Sequence, residues 1–185
     1  MSGQGWLSLL NDQWQIGAGT ALSASASTAT ISPQNSSAKD YLISPYEWRV
    51  NKTLMVYADG ILGSGGTASN LTVFLAAGAT PTTLSTSPAM ALGTGSLSSL
   101  PWHLWARIRC LAVASSGNTL ETKGTFIFNN ATAPALGTAN AVMCDLPLTS
   151  AAVDLTASCA IIMRATLSAA FGNITCHSFI VESLN

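Results

Sequence analysis

Apolar residues recur at every second position in run after run of this chain, and the 3.6-residue spacing of an amphipathic helix is almost nowhere seen. The clearest run is Trp102–Val113. Trp102, Leu104, Ala106, Ile108, Cys110 and Ala112 fall on one side of it, and His103, Trp105, Arg107 and Arg109 on the other. That pattern predicts one long, half-buried strand. Leu54–Ala58, with Leu54, Val56 and Ala58 inward, and Leu71–Ala76, with Leu71, Val73 and Leu75 inward, repeat it. Thr125–Phe128, Cys159–Thr166 and Ile174–Ser183 add three strands, and Thr28–Ser32, Tyr41–Ser44 and Ala141–Leu146 are weaker. In Cys159–Thr166 the set Cys159, Ile161, Met163 and Ala165 opposes Ala160, Ile162, Arg164 and Thr166.

Between these runs stand glycine- and asparagine-bearing turn signals: Asp59-Gly60, residues 63–66, residues 93–95, residues 116–118 and residues 171–173. Many short strands joined by such turns predict an all-β fold, a sandwich or closed barrel of about eight antiparallel strands. No fixed-period repeat points to a propeller or β-helix. Residues 77–100, rich in Thr, Ser, Gly and Pro, read as one long loop of the kind a compact domain keeps only for a use. With 185 residues, the chain fits a single domain over 14–185, preceded by a segment 1–13 of different character. In that region Trp6, Leu7, Leu9, Leu10 and Trp14 are bulky apolar groups. They either close the domain's own core as a first strand or short helix, or form an N-terminal arm that packs on a neighbour. The arm is the expectation adopted.

Charge decides what class of work such a sandwich does. Only 8% of residues are charged, against roughly a quarter in an ordinary soluble domain, while 48% are hydrophobic. The surface must be built mostly of Ser, Thr, Ala, Gly and Asn, and is poorly protected against association. The simplest reason for a chain to tolerate that is that association is its function. A net charge of −1 supplies no electrostatic footprint for nucleic acid or an anionic membrane, so neither is expected as a partner. The first residues lack a basic region before an apolar one, and no apolar run approaches the roughly 18 residues that span a bilayer, so synthesis and folding in a cytosol are expected. Cys110, Cys144, Cys159 and Cys176 form no Cys-x-x-Cys pair and are expected as buried thiols.

No catalytic grouping can be read. His103 and His177 are the only histidines and have no spaced carboxylate or second histidine. His177 follows Cys176 directly, so their side chains point to opposite faces of a strand. The acids are isolated along the chain; turn or strand-end roles are expected for Asp59 and Asp154. Neither a nucleophile elbow nor a P-loop nor a dinucleotide fingerprint occurs. No cofactor, metal or catalytic residue is expected.

Three ordered segments carry a resemblance. The first is Lys52-Thr-Leu-Met-Val-Tyr-Ala-Asp-Gly60 with Asn70-Leu-Thr-Val-Phe-Leu-Ala-Ala-Gly78; the second is Pro101-Trp-His-Leu-Trp-Ala-Arg-Ile-Arg-Cys110 with Gly117 and Lys123-Gly-Thr-Phe126. The third runs from Val153-Asp-Leu-Thr156 through Cys159-Ala-Ile-Ile-Met-Arg-Ala165 to Gly172-Asn-Ile-Thr-Cys-His-Ser-Phe-Ile-Val-Glu182. Together they resemble small β-rich virion structural proteins of tailed bacteriophages, which are similar to jelly-roll domains that decorate or cement capsids. The resemblance implies a jelly-roll β-sandwich, no catalytic residues, and a homotrimer bound to the shell of major capsid protein, on the virion exterior. Within the same resemblance, a tail or fibre component would use residues 77–100 on a host surface. From another class, a carbohydrate-binding module would stack sugars on Trp48, Trp102 and Trp105.

Overall fold

The computed structural model describes residues 8–9, 22–23, 28–32, 42–65, 69–92, 97–129, 141–168 and 172–184. These form thirteen strands: β1 (Ser8–Leu9), β2 (Leu22–Ser23), β3 (Ala29–Thr30), β4 (Leu42–Ile43), β5 (Thr53–Ser64), β6 (Ser69–Ala77), β7 (Thr82–Thr86), β8 (Met90–Leu92), β9 (Leu97–Cys110), β10 (Leu120–Asn129), β11 (Ala141–Ala151), β12 (Cys159–Leu167) and β13 (Gly172–Ser183). A single 3-10 turn, Pro45–Glu47, precedes β5; its entry is fixed by the Ser44 N–H donating to the Glu47 carboxylate at 3.1 Å.

The strands make an all-β sandwich of two antiparallel sheets. The large sheet runs β1-β13-β5-β9-β10-β11, with β2 also on the edge of β13. The small sheet runs β3-β12-β6-β7, with β4 also on β12 and β8 also on β6. Along the chain, β1 and β2 belong to the large sheet and β3 and β4 to the small one. The chain then passes to β5 (large), β6–β8 (small), β9–β11 (large), β12 (small) and β13 (large). This repeated crossing, with the last strand inserted between the first and β5, is the wrapping order of a jelly roll. The hairpin of β10 and β11 widens the large sheet beyond that frame.

Burial follows the expected alternation. Leu54, Val56 and Ala58 of β5, Leu71, Val73 and Leu75 of β6, and Trp102, Leu104, Ala106, Ile108 and Cys110 of β9 all point into one core. Trp102 stacks on Phe126 with ring centroids 5.5 Å apart, and Phe126 meets Phe128 at 6.0 Å. On β12 the inward set is Cys159, Ile161, Met163 and Ala165. Ala160 and Ile162, on its opposite side, are buried with Ala76 in a small second cluster.

Four expectations need correction. Residues 77–100 are not one loop, because β7 and β8 lie within them and pair with β6. Thr82–Thr86 carries only one large apolar residue, Leu84, so its alternation is invisible. Its edge position needs little apolar area: the Ser85 hydroxyl donates to the Pro147 carbonyl at 3.0 Å, and the Thr149 hydroxyl to the Leu84 carbonyl, stitching β7 to β11. Second, Asp59-Gly60 is no turn but mid-strand in β5, opposite His103 and Trp102. Third, Gly63 also lies in β5, and Gly172 and Asn173 already belong to β13. Fourth, the strand read as Trp102–Val113 spans Leu97–Cys110. The strand ends at Cys110, although the Leu111 N–H still donates to the Thr119 carbonyl just before β10. The turn at residues 116–118 is as expected, with Gly117 at φ +80°. Asp154 likewise closes a turn, accepting from the Thr156 N–H at 2.9 Å and hydroxyl at 2.6 Å.

Within the segment read as an arm, Ser8 and Leu9 lie opposite Ser183 and Glu182 of the same chain's β13. Trp6, Leu7, Leu10 and Trp14 lie outside the described residues.

Candidate interaction face

Five long strands of the large sheet, β13, β5, β9, β10 and β11, turn their non-core side chains outward on one face. Cross-strand register orders them in rows. One row is Ile180–Tyr57–Trp105–Thr125–Asp145, and the next is Ser178–Asp59–His103–Ile127–Met143. On the other side of the first row lies Glu182–Met55–Arg107–Lys123, followed by Thr53–Arg109–Glu121–Ser150. An apolar band therefore crosses the middle of the face. Its most open members are Met143 (70% exposed), Trp105 (44%) and Tyr57 (40%).

Charge is gathered on the same face. Asp59, Arg107, Arg109, Glu121, Lys123, Asp145 and Glu182 are seven of the chain's fifteen formally charged residues, which number seven basic and eight acidic. Among the described residues, the side chains on the non-core side of the small sheet, such as Thr72, Phe74 and Thr166, include a single charged one, Arg164. On the large sheet the Glu121 carboxylate bridges Arg109 at 3.1 Å and Arg107 at 3.6 Å. Such exposed pairs are worth about 0–1 kcal/mol. Lys123 stands directly across from Arg107, so the basic corner keeps net positive charge. Asp59 and His103 lie on the opposite side of the band.

The row Ser178–Asp59–His103 is not a catalytic triad. Ser178, Asp59 and His103 share a row, but the acid stands between the other two on the middle strand. Serine and histidine are then about 10 Å apart, two strand spacings, beyond any proton transfer. Cys176 is buried while His177 is exposed at a bulge between Cys176 and Ser178, so they form no pair. Among the described residues no group of three or more His, Cys, Asp and Glu could hold a metal ion. No helix among them is long and apolar enough to cross a membrane.

All four cysteines are buried and free. Loss of hydration pushes the thiol of Cys159 up to about 11 and that of Cys176 up to about 12; burial also raises Cys110 and Cys144. Because the thiolate is the reactive form, alkylating reagent should label none of the four in the native protein and all four in denaturant. Mass spectrometry reads this directly, and rapid native labelling of Cys159 or Cys176 would contradict the core packing. The unfolded chain gives up its thiol protons first. Stability is therefore constant below the free-thiol range and falls as pH rises from about 8.5 toward these raised values.

A second group of exposed apolar side chains lies where β5 begins and β9 ends. Tyr46 is 96% exposed, Val50 57% and Val113 42%. The Asn51 N–H donates to the Cys110 carbonyl at 2.8 Å, which ties the two loops at this end of the sandwich. Of the three tryptophans proposed for sugar stacking, Trp102 and Trp48 are buried and only Trp105 offers a ring. The Trp102 N–H is spent on the carbonyls of Ile61 and Thr175, at 3.1 and 3.2 Å.

The sequence places His103, Trp105, Arg107 and Arg109 on one strand side, which is the only trace of this face readable from one segment. Its partners Asp59, Lys123, Asp145 and Met143 come from three other strands. No protein-family model, curated protein or solved structure matches the chain.

Proposed function

We propose that this protein is a non-enzymatic structural protein that works by association, as a decoration or cement protein on the exterior of a bacteriophage head shell. The observation behind the reading is the gathering of exposed large apolar side chains in two places on an otherwise charge-poor sandwich. Isolated exposed apolar residues are ordinary, but contiguous bands mark contacts. The resemblance of residues 52–78, 101–126 and 153–182 to phage virion proteins supplies the partner, a shell of major capsid protein, and a homotrimer as the working unit. Neither nucleic acid nor a membrane is proposed as a partner.

The mechanism is linkage. A protein that binds only the assembled lattice stabilises it by RT ln(1 + [L]/Kd) per site. A trimer adds avidity, since one docked subunit holds the others at high effective concentration. The end carrying Tyr46, Val50 and Val113 is the shell contact in this reading. Shells stripped of the protein should release their genome at lower temperature, and adding back purified protein should restore the original value. Val50→Asp should abolish both co-sedimentation with shells and that recovery. Wild-type protein that neither co-sediments nor shifts release would overturn the cement reading. If its loss instead lowers host adsorption, the protein is a tail or fibre component.

A further inference from the structure

We infer that the outer face of the large sheet is a self-complementary interface on which a second copy of this chain docks about a two-fold axis through Trp105. This contact is additional to the shell and trimer contacts proposed above and does not depend on them.

The geometry follows from the register. Trp105 sits on the central strand β9, between Tyr57 on β5 and Thr125 on β10. Asp59 is two residues beyond Tyr57 toward one end of the sheet, and Lys123 is two residues before Thr125 toward the other. The two are therefore diagonally opposite about Trp105, about 17 Å apart by ordinary sheet spacing. A dyad lying in the face, perpendicular to the line joining them, brings Asp59 of each copy over Lys123 of the other. The same operation carries Tyr57 toward Arg107, an aromatic face against a guanidinium. It carries Met55 toward Ile180, sets Met143 beside its own copy on the axis, and brings Asp145 between Ile127 and His103 of the other copy. Trp105 meets its own copy on the axis. Met55, Ile180, Trp105 and Met143 thus meet apolar groups and Asp59 meets Lys123, with Ile127 beside Asp145 as the exception. Among the charged groups Glu182 alone approaches its own copy, at the rim where water screens it.

An isologous contact must present one patch to itself in this manner. The sheets cross steeply, as in orthogonal sheet packing. Five strands at about 4.8 Å spacing give an overlap roughly 24 Å on a side, about 600 Å² per copy. The total of about 1,200 Å² exceeds the roughly 1,000 Å² that a specific interface needs. Nearly half the chain's charges lie on this face because they set its orientation, and the small-sheet face, with Arg164 alone among its described residues, has no such code.

Charge swapping on the full chain tests the contact, read by sedimentation equilibrium. Asp59→Lys alone and Lys123→Asp alone should each halve the mass of the wild-type particle, whatever its trimer state. The dyad presents each change twice, so each should raise the dissociation constant of the pair on the order of a hundredfold. The double variant, Asp59→Lys with Lys123→Asp, restores both ion pairs with reversed polarity and should recover the wild-type mass. Trp105→Asp, which sets two carboxylates on the axis, should also halve it. Thermal unfolding of each variant checks that the domain is intact. Singles that leave the mass unchanged, or a double variant no better than the singles, would overturn the two-fold contact. Shell co-sedimentation of the same variants reports separately on the cement reading.

Discussion

Gly60→Ala should destabilise the protein by about 3 kcal/mol or more, at or beyond the upper end for an overpacked core position. A Cβ at this position would lie 1.9 Å from the Thr175 carbonyl oxygen and 2.8 Å from Cζ2 of Trp102. The first of these is backbone, held by the pairing of β5 with β13, and cannot swing aside as a side-chain tip would. The strands must separate or shift. For a chain of this size the loss corresponds to a fall in Tm of about 10 °C, readable by circular dichroism. Gly117→Ala is the contrast: nothing lies within 4 Å of its added Cβ, and only the φ of +80° is unfavourable. That substitution should cost about 1 kcal/mol. Equal effects at the two sites would mean that Gly60 is not where the register puts it.

Trp102→Ala should cost about 3–5 kcal/mol, the range for removing a fully buried aromatic side chain. The indole is wholly inaccessible to solvent, stacks on Phe126, and spans β5 and β13 through its N–H. Trp102→Phe separates the two contributions. It keeps a ring against Phe126 but removes the donor to the Ile61 and Thr175 carbonyls, so it should lose less, about 1–3 kcal/mol including the smaller volume. Because the Trp102 ring forms part of the clash at Gly60, the two sites are coupled. The double variant Gly60→Ala, Trp102→Ala should lose less than the sum of the singles, measured by denaturant unfolding.

These two residues show why the fold was legible and its details were not. Trp102, Leu104, Ala106, Ile108 and Cys110 declare an inward strand face because burial on one side of a pleated strand imposes a period of two, a local property. The all-β sandwich follows from repeating that reading. Gly60 was misread because glycine after aspartate is an ordinary turn signal. Here it serves a close approach between β5, the Trp102 indole and β13, and β13 lies more than a hundred residues downstream. The outer face of the large sheet was legible only on β9, in His103, Trp105, Arg107 and Arg109. Its other half depends on the registers of β5, β10 and β11 against β9, including a bulge between Thr122 and Gly124, and no local pattern specifies those. Strand β7 escaped because an edge strand held by side-chain hydroxyls needs little hydrophobic area, and β8 because three residues, Met90–Leu92, are too few to show a period.

The insertion of β13 beside β5 has a consequence in time. Val56 lies opposite Val181, so one flank of β5 finds its partner only after about 125 further residues have been synthesised. At ordinary elongation rates of about 5–20 residues per second, that interval is on the order of ten seconds. Throughout it, a nascent chain presents an unpaired strand containing Leu54, Met55, Val56 and Tyr57, an apolar template for the corresponding strand of a neighbouring ribosome's product. A molecule proposed to work by association is thus most at risk of joining the wrong neighbour before β13 emerges.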